Sequence, residues 1–356
     1  MKVDEYRIDS HKLIYHPERV SCWLKGENIY PIYMEIALFG GCNHRCIFCA
    51  LDYLRYKPVE LNEKPLRRFI AEAAEKGVKS IMYAGEGEPL LHKQAADIIE
   101  FTKKKGIDVA VTSNATMFSE GMAEKCLGYL SWFRASLNAS SAETYAKIHR
   151  TKKEDFNIVL DNLKNAVKVR NKNKYNCVIG AQFLLIQQNC NDATELAMIL
   201  KDIGIDYFII KPYSQHPLSE NRLGRGLNYD KFVYLERNLK RYENKDLNIV
   251  LRKHTIDKLK ENKPYNSCLG LPFWAYLDAN GDLYACSAFL GNKDFVYGNI
   301  YKQKFSDIWE GERRKKIMKM MHTGWDIRRC REVCRLDEIN RYLWNLKNPP
   351  SHVNFI

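Results

Sequence analysis

Between residues 32 and 211, short apolar runs alternate with segments whose apolar residues recur at helical spacing, and no other feature limits the chain's fold as much. Ile32 to Phe39, Ser80 to Ala84, Val109 to Thr112, Trp132 to Leu137, Val178 to Ile186 and Tyr207 to Lys211 read as strands. Pro65 to Lys76, Lys93 to Lys104, Ser119 to Leu127, Phe156 to Arg170 and Ala193 to Ile203 read as helices between them. Such alternation demands a parallel sheet, because each return to the same edge needs a crossover and the helices cover the apolar faces. The expected class is α/β, a partial (β/α)6 TIM-like barrel with its reacting groups at the carboxyl ends of the strands.

Cys42, Cys46 and Cys49 follow the first strand at once, after Gly40 and Gly41, which allow a sharp turn. The amino terminus is charged and has no apolar signal segment, and the longest apolar runs are about half of what a membrane span needs. A cytoplasmic protein is therefore expected, and eleven cysteines in a reducing compartment point to metal or redox chemistry rather than disulfides. Three thiolates on one loop can hold three irons of a [4Fe-4S] cluster and leave the fourth iron open to a ligand. A zinc ion completed by His44 is the alternative that these residue types allow.

Polar residues gather at the other strand ends. Gly85, Glu86, Gly87 and Glu88 follow the second, Ser113 and Asn114 the third, and Ser136 and Asn138 the fourth. Lys211, Tyr213 and His216 end the sixth at the rim where substrate should lie, with donors and acceptors suited to a hydroxylated or charged molecule.

The pattern changes near the turn-rich Arg222 to Gly226, which divides the chain into an extension at 1–30, a barrel at 31–225 and a smaller α+β unit at 226–356. Phe273 to Leu277 and Asp282 to Ser287 read as a β-hairpin, followed by helices at Phe305 to Met321 and Leu336 to Leu346. Cys268, Cys286, Cys330 and Cys334 surround the hairpin, enough thiols to ligate a second [4Fe-4S] cluster or a zinc ion. Cys22, Cys126, Cys177 and Cys190 read as buried, inert thiols.

The C-x3-C-x2-C run, with Phe48 before its last cysteine, resembles the signature of the radical S-adenosylmethionine superfamily. The resemblance implies a three-cysteine [4Fe-4S] cluster whose open iron binds S-adenosylmethionine, reductive cleavage of that cofactor to a 5′-deoxyadenosyl radical, and an external one-electron reductant such as flavodoxin or ferredoxin. Gly85-Glu86-Gly87-Glu88-Pro89 resembles the family's Gly-Gly-Glu-Pro motif, which implies contact with the cofactor ammonium by Glu86, or by Glu88 in the other register. Ser113 and Asn114 resemble its Thr-Asn-Gly, and Ser136 with Arg150 a pair contacting the cofactor's ribose and carboxylate, with Asn138 a further ribose ligand or a helix cap. The second cysteine group resembles the SPASM extension or its shorter twitch form, and four cysteines imply one auxiliary [4Fe-4S] cluster.

The expected function is removal of a hydrogen atom from a hydroxylated small molecule, such as a sugar, aminocyclitol or nucleotide-linked sugar, leading to dehydrogenation or epimerisation. Epimerisation or crosslinking of a ribosomal peptide is the alternative, disfavoured because only about thirty residues precede the first strand, where peptide modifiers often carry a leader-binding domain. A rival from another class is a zinc-stabilised nucleic-acid-binding protein, to which the net charge of +13 would suit phosphate. The basic residues are scattered and read as solvated helix faces, so neither nucleic acid nor membrane is an expected partner.

Overall fold

The computed structural model describes residues 6–224 and 227–355. Ten strands form one sheet: β1 Tyr33–Ile36, β2 Ser80–Tyr83, β3 Asp108–Ser113, β4 Leu130–Ser136, β5 Val178–Leu185, β6 Tyr207–Pro212, β7 Asn248–Leu251, β8 Trp274–Leu277, β9 Asp282–Tyr284 and β10 Val296–Asn299. Their order is β10-β9-β8-β1-β2-β3-β4-β5-β6-β7. Strands β1 to β7 pair in parallel, β8 adds in parallel to β1, and β9 and β10 continue antiparallel from it.

The expected α/β barrel is present, with additions. The anticipated boundary between residues 225 and 226 lies outside the described residues. Beyond it, β7 extends the parallel sheet at one edge, and the hairpin strand β8 docks directly on β1 at the other. The loop that carries the first three cysteines and the hairpin that leads to Cys286 therefore belong to one continuous sheet.

Among the described residues twelve α-helices accompany the strands: α1 Pro17–Leu24, α2 Glu63–Glu75, α3 Ala95–Lys104, α4 Glu120–Cys126, α5 Ala142–His149, α6 Glu154–Asn173, α7 Asp192–Ile203, α8 Val233–Leu239, α9 Lys253–Asp257, α10 Phe305–Glu310, α11 Glu312–Thr323 and α12 Asp337–Lys347. In α2 the Asn62 side chain caps the first turn by accepting from Lys64 N, and Leu66, Phe69, Ile70 and Ala73 form the buried stripe. Each large apolar member of that stripe contributes at most about 1.5–3 kcal/mol by burial. The chain leaves α2 through Gly77, whose φ of 82° suits glycine. The single helix expected over Phe305 to Met321 is two, because Gly311 adopts an extended conformation between α10 and α11.

Strand alternation separates two faces. Met34, Ile36, Ile81, Tyr83, Val109, Val111, Phe133, Ala135, Ile179 and Phe208 belong to the main core. Met82, Ala84 and Ala110, with Tyr33 and Trp132 against them, form a separate small cluster on the opposite, inner face. By register this face continues through the Thr112–Arg134–Gly180–Tyr207 row and the Ser136–Gln182–Ile209 row, with Lys211 opposite Leu184 one row further on. A charged and polar interior is the unusual feature of this barrel. Among the described residues no helix is long and apolar enough to cross a membrane.

Candidate active site

The loop after β1 carries Cys42, Cys46 and Cys49 and is held from three sides. Gly40 N donates to Val59 O at 2.9 Å, Glu88 N donates to Gly41 O at 2.8 Å, and Arg45 N and Ile47 N donate to the last carbonyls of α5, those of His149 (3.0 Å) and Ile148 (2.9 Å). Gly87 makes the close approach possible: its φ is 67°, and a Cβ there would overlap the carbonyl oxygens of Phe39 and Gly41.

Burial pushes the Cys42 thiol up to about 12, with Glu88 and Cys49 adding to the effect, and raises Cys46, where Cys49 and Cys42 act in the same direction. Bound metal reverses this logic by holding the thiolate. Each sulfur has a polar neighbour that suits that state. Cys42 Sγ accepts from His44 N (3.4 Å), Cys46 Sγ lies 3.4 Å from His149 Nδ1, and the Tyr56 hydroxyl acts on Cys49 against the effect of burial.

His149 is buried at the end of α5, stacks on Tyr145 with 4.1 Å between centroids, and meets Phe48 edge-on at 5.6 Å. Burial, with His44 acting in the same direction, pushes its imidazole well below the usual range. His44, Cys46 and His149 are the one trio of such side chains among the described residues whose donor atoms all lie within 4.8 Å of one another. Zinc ligands crowd within twice a bond of about 2.3 Å, and the three cysteines are not drawn together in that way. Wider spacing suits the corners of a multi-iron cluster.

The two glutamates differ. Glu88 Oε1 accepts from Leu90 N (3.1 Å) and Ser113 Oγ (2.7 Å) and Oε2 from Asn114 N (2.8 Å), so its carboxylate ties the end of β2 to the end of β3. Glu86 Oε1 accepts only from Ala279 N (2.8 Å), and its carboxyl lines a cavity of about 140 Å³ with Gly40, Lys57, Asp278 and Tyr284. Asn114 Nδ2 reaches Asn43 Oδ1 at 2.7 Å and Cys42 Sγ at 3.9 Å, so Ser113 and Asn114 border the cysteine loop.

Asn138 is wholly buried; its Oδ1 accepts from Leu184 N (2.6 Å) and its Nδ2 lies 3.4 Å from both Ser136 Oγ and His149 Nε2. The cap of α5 is Ser141, which accepts from Thr144 N at 3.3 Å. Arg150 follows α5 in the left-handed conformation, with an exposed side chain.

The second group converges from three segments. Cys268 Sγ accepts from Asn340 Nδ2 (3.7 Å), Cys286 Sγ from Ala288 N (3.5 Å), Cys330 Sγ from Trp325 Nε1 (3.4 Å) and Cys334 Sγ from Leu336 N (3.4 Å). After burial, the largest effect raising Cys268 and Cys286 is Cys334, which places the sulfurs in one another's field. All eleven cysteines are free. Cys126 and Cys190, by contrast, donate, to Met122 Sδ and to Gln187 O.

Between the groups lies the loop after β6. Ser219 Oγ and Asn221 Nδ2 donate to Cys49 O at 3.3 and 3.1 Å, latching it to the first cysteine loop. Tyr213 spends its hydroxyl on Asn221. His216 stacks on Tyr53 at 5.3 Å, and both His216 Nε2 and the Tyr53 hydroxyl are buried without a partner. Burial, with Arg331, lowers His216 to about 4. Sequence reasoning missed Tyr53, His149 and Arg134; of these only Arg134 left a signal, a charge between Phe133 and Ala135 inside a strand.

A partial parallel barrel with three thiols on the loop after its first strand, and four more around the flanking hairpin and the segment before α12, has the donor set of an iron-sulfur protein. The family model of the radical SAM superfamily matches residues 36–182, and that of the iron-sulfur cluster-binding SPASM domain matches residues 268–335. The chain belongs to the radical SAM superfamily and carries a SPASM domain. Its cofactors are accordingly S-adenosylmethionine and a [4Fe-4S] cluster, with auxiliary iron-sulfur binding in the SPASM segment, and these matches set the zinc-stabilised nucleic-acid-binding alternative aside.

The chain is 34% identical over 152 residues to a GTP 3′,8-cyclase of Aliarcobacter butzleri, covering 41% of this chain and 46% of that protein. It is 20% identical to the tungsten-containing aldehyde ferredoxin oxidoreductase cofactor-modifying protein of Pyrococcus furiosus, over 79% of this chain and 81% of that one. The cyclase matches span about half the length of those relatives. In fold it is similar to Streptococcus suis SuiB bound to S-adenosylmethionine, with a TM-score of 0.64 and 20% identity over 84% of this chain and 70% of that one. The AdoMet-bound anSMEcpe structure is similar at a TM-score of 0.58 and 14% identity, over 90% and 100%.

Proposed function

We propose that Cys42, Cys46 and Cys49 hold the cluster that binds S-adenosylmethionine, that Cys268, Cys286, Cys330 and Cys334 hold one auxiliary cluster, and that the protein abstracts a hydrogen atom from a hydroxylated small molecule, leading to dehydrogenation or epimerisation. The carrying observation is that the seven sulfurs fall in two groups, five of them accepting hydrogen bonds and Cys46 beside His149 Nδ1, with the unpartnered Tyr53 hydroxyl and His216 imidazole on loops that follow the first group and β6. Once reduced by an external one-electron donor, the bound cofactors supply the 5′-deoxyadenosyl radical, the chemistry the chain itself lacks.

The protein's part is to bind and orient. Glu86 keeps one carboxylate oxygen free of protein partners and suits the cofactor ammonium, while Glu88, fully occupied, holds the β2 and β3 ends in place. Arg150 has no partner among the described residues and offers its guanidinium to a carboxylate. Tyr53 and His216 supply the unpartnered hydroxyl and imidazole that a substrate hydroxyl would satisfy.

The test is to reduce oxygen-free, iron-loaded protein with S-adenosylmethionine and measure 5′-deoxyadenosine. Deuterated sugars, aminocyclitols and nucleotide-linked sugars would then show which carbon loses its hydrogen. Iron-replete protein that forms no 5′-deoxyadenosine would sink the proposal, and deuterium transfer from a peptide alone would replace the small-molecule substrate by a ribosomal one.

A further inference from the structure

We infer that the inner face of the barrel binds a phosphate group of the substrate between Arg134 of β4 and Lys211 of β6; this rests on the hydrogen-abstraction reading of the same chamber. Both residues lie on the inward-facing register, Lys211 opposite Leu184 and two rows beyond the row that Arg134 shares with Gly180 and Tyr207; Gly180 presents no side chain there, and the Tyr207 ring covers it. Arg134 lies over the Trp132 ring at 4.7 Å and donates from Nη2 to Thr112 Oγ1 at 3.2 Å, while its Nε is buried without a partner. Lys211 has no acceptor among the described residues, and burial followed by the fields of Arg134, Arg252, Arg331 and Arg335 pushes its ammonium well below the usual range.

The nearby acids are already committed. Asp9 pairs with Arg252 at 3.1 Å and Glu35 with Arg335 at 2.7 Å. Arg331 donates from Nη2 to Ser214 O at 3.1 Å while its Nε is buried without a partner, and it and Arg335 stand in the field of Cys334, where a metal-held thiolate would offset positive charge. Arg134 and Lys211 have no acidic partner among the described residues, and keeping a desolvated basic group charged is costly unless an anion pairs it. A phosphate monoester dianion matches two cations; a carboxylate matches one. The guanidinium fork of Arg134 also fits phosphate geometry, with Lys211 as the point charge beside it.

The test titrates inorganic phosphate, and separately acetate at matched ionic strength, into oxygen-free, iron-loaded protein by calorimetry. Phosphate should bind at least tenfold more tightly than acetate. Arg134→Gln and Lys211→Gln should each weaken phosphate at least tenfold, Arg134→Lys should recover part of the loss, and Lys316→Gln, on an exposed helix face, should change nothing. Equal phosphate and acetate affinity in the wild type, or phosphate binding unmoved by both glutamine variants, would overturn the inference. Should neither variant load iron, the wild-type comparison decides. Formation of 5′-deoxyadenosine by the wild type is read separately, so failure here leaves the hydrogen-abstraction reading standing.

Discussion

His149 Nδ1 lies 3.4 Å from Cys46 Sγ, joining the end of α5 to the middle cysteine of the first loop. A neutral imidazole can serve a thiolate only as a donor, through Nδ1–H. A hydrogen bond to cluster sulfur favours the reduced, more negative state. His149→Leu should therefore make the potential of the first cluster more negative. A bond of about 1.4 kcal/mol corresponds to roughly 60 mV for one electron. An EPR-monitored redox titration checks this, and an unmoved or more positive potential refutes it.

Gly87→Ala should cost the first cluster and spare the second. The added methyl meets the Phe39 and Gly41 carbonyls in a left-handed backbone, so the cysteine loop must move. Iron should fall by about half, from roughly eight per chain to roughly four, as expected for loss of one of two four-iron clusters. Full iron in the alanine variant would show that the loop tolerates displacement.

Glu88→Gln should destabilise the protein by about 2 kcal/mol, because an amide NH2 would face either the Asn114 N–H or the donors from Leu90 and Ser113. The melting temperature should fall by about 3 °C. A variant melting with the wild type would mean that the β2–β3 latch contributes little.

Asp278 is buried, and burial, reinforced by Glu86, raises its carboxyl to about 7. The folded state then holds a proton that the unfolded state releases above its ordinary value near 3.8, so this group makes stability fall as pH rises from about 4 to 7. Asp278→Asn keeps an oxygen for the Asn280 and Asp282 amides and removes the penalty. It should raise stability by about 1–2 kcal/mol at pH 8, with the gain vanishing toward pH 4. Parallel melting curves across that range would contradict the assignment.

The six barrel strands were legible because each is a short apolar run bounded by a turn, and the cysteine groups because their spacing is improbable by chance. Strand β7 was not: Asn248–Leu251 is brief and joins β6 only after a long excursion that reads as a separate unit. Helix α5 is only eight residues long and was not among the expected helices, and with it His149 went unseen beside Cys46. The Glu86 and Glu88 roles depended on which carboxylate the fold consumes, and the pairing of Tyr53 with His216 on how two distant loops meet. Tertiary placement alone decides such matters.

The central claim is that one cluster has a corner reserved for S-adenosylmethionine and the other does not. EPR spectra of reduced, oxygen-free protein recorded while S-adenosylmethionine is titrated in test it most directly. One of two cluster signals should shift on addition, and the responding signal should be absent from Cys46→Ala but retained in Cys334→Ala. Spectra that ignore S-adenosylmethionine, in protein whose iron content accounts for both clusters, would contradict the account.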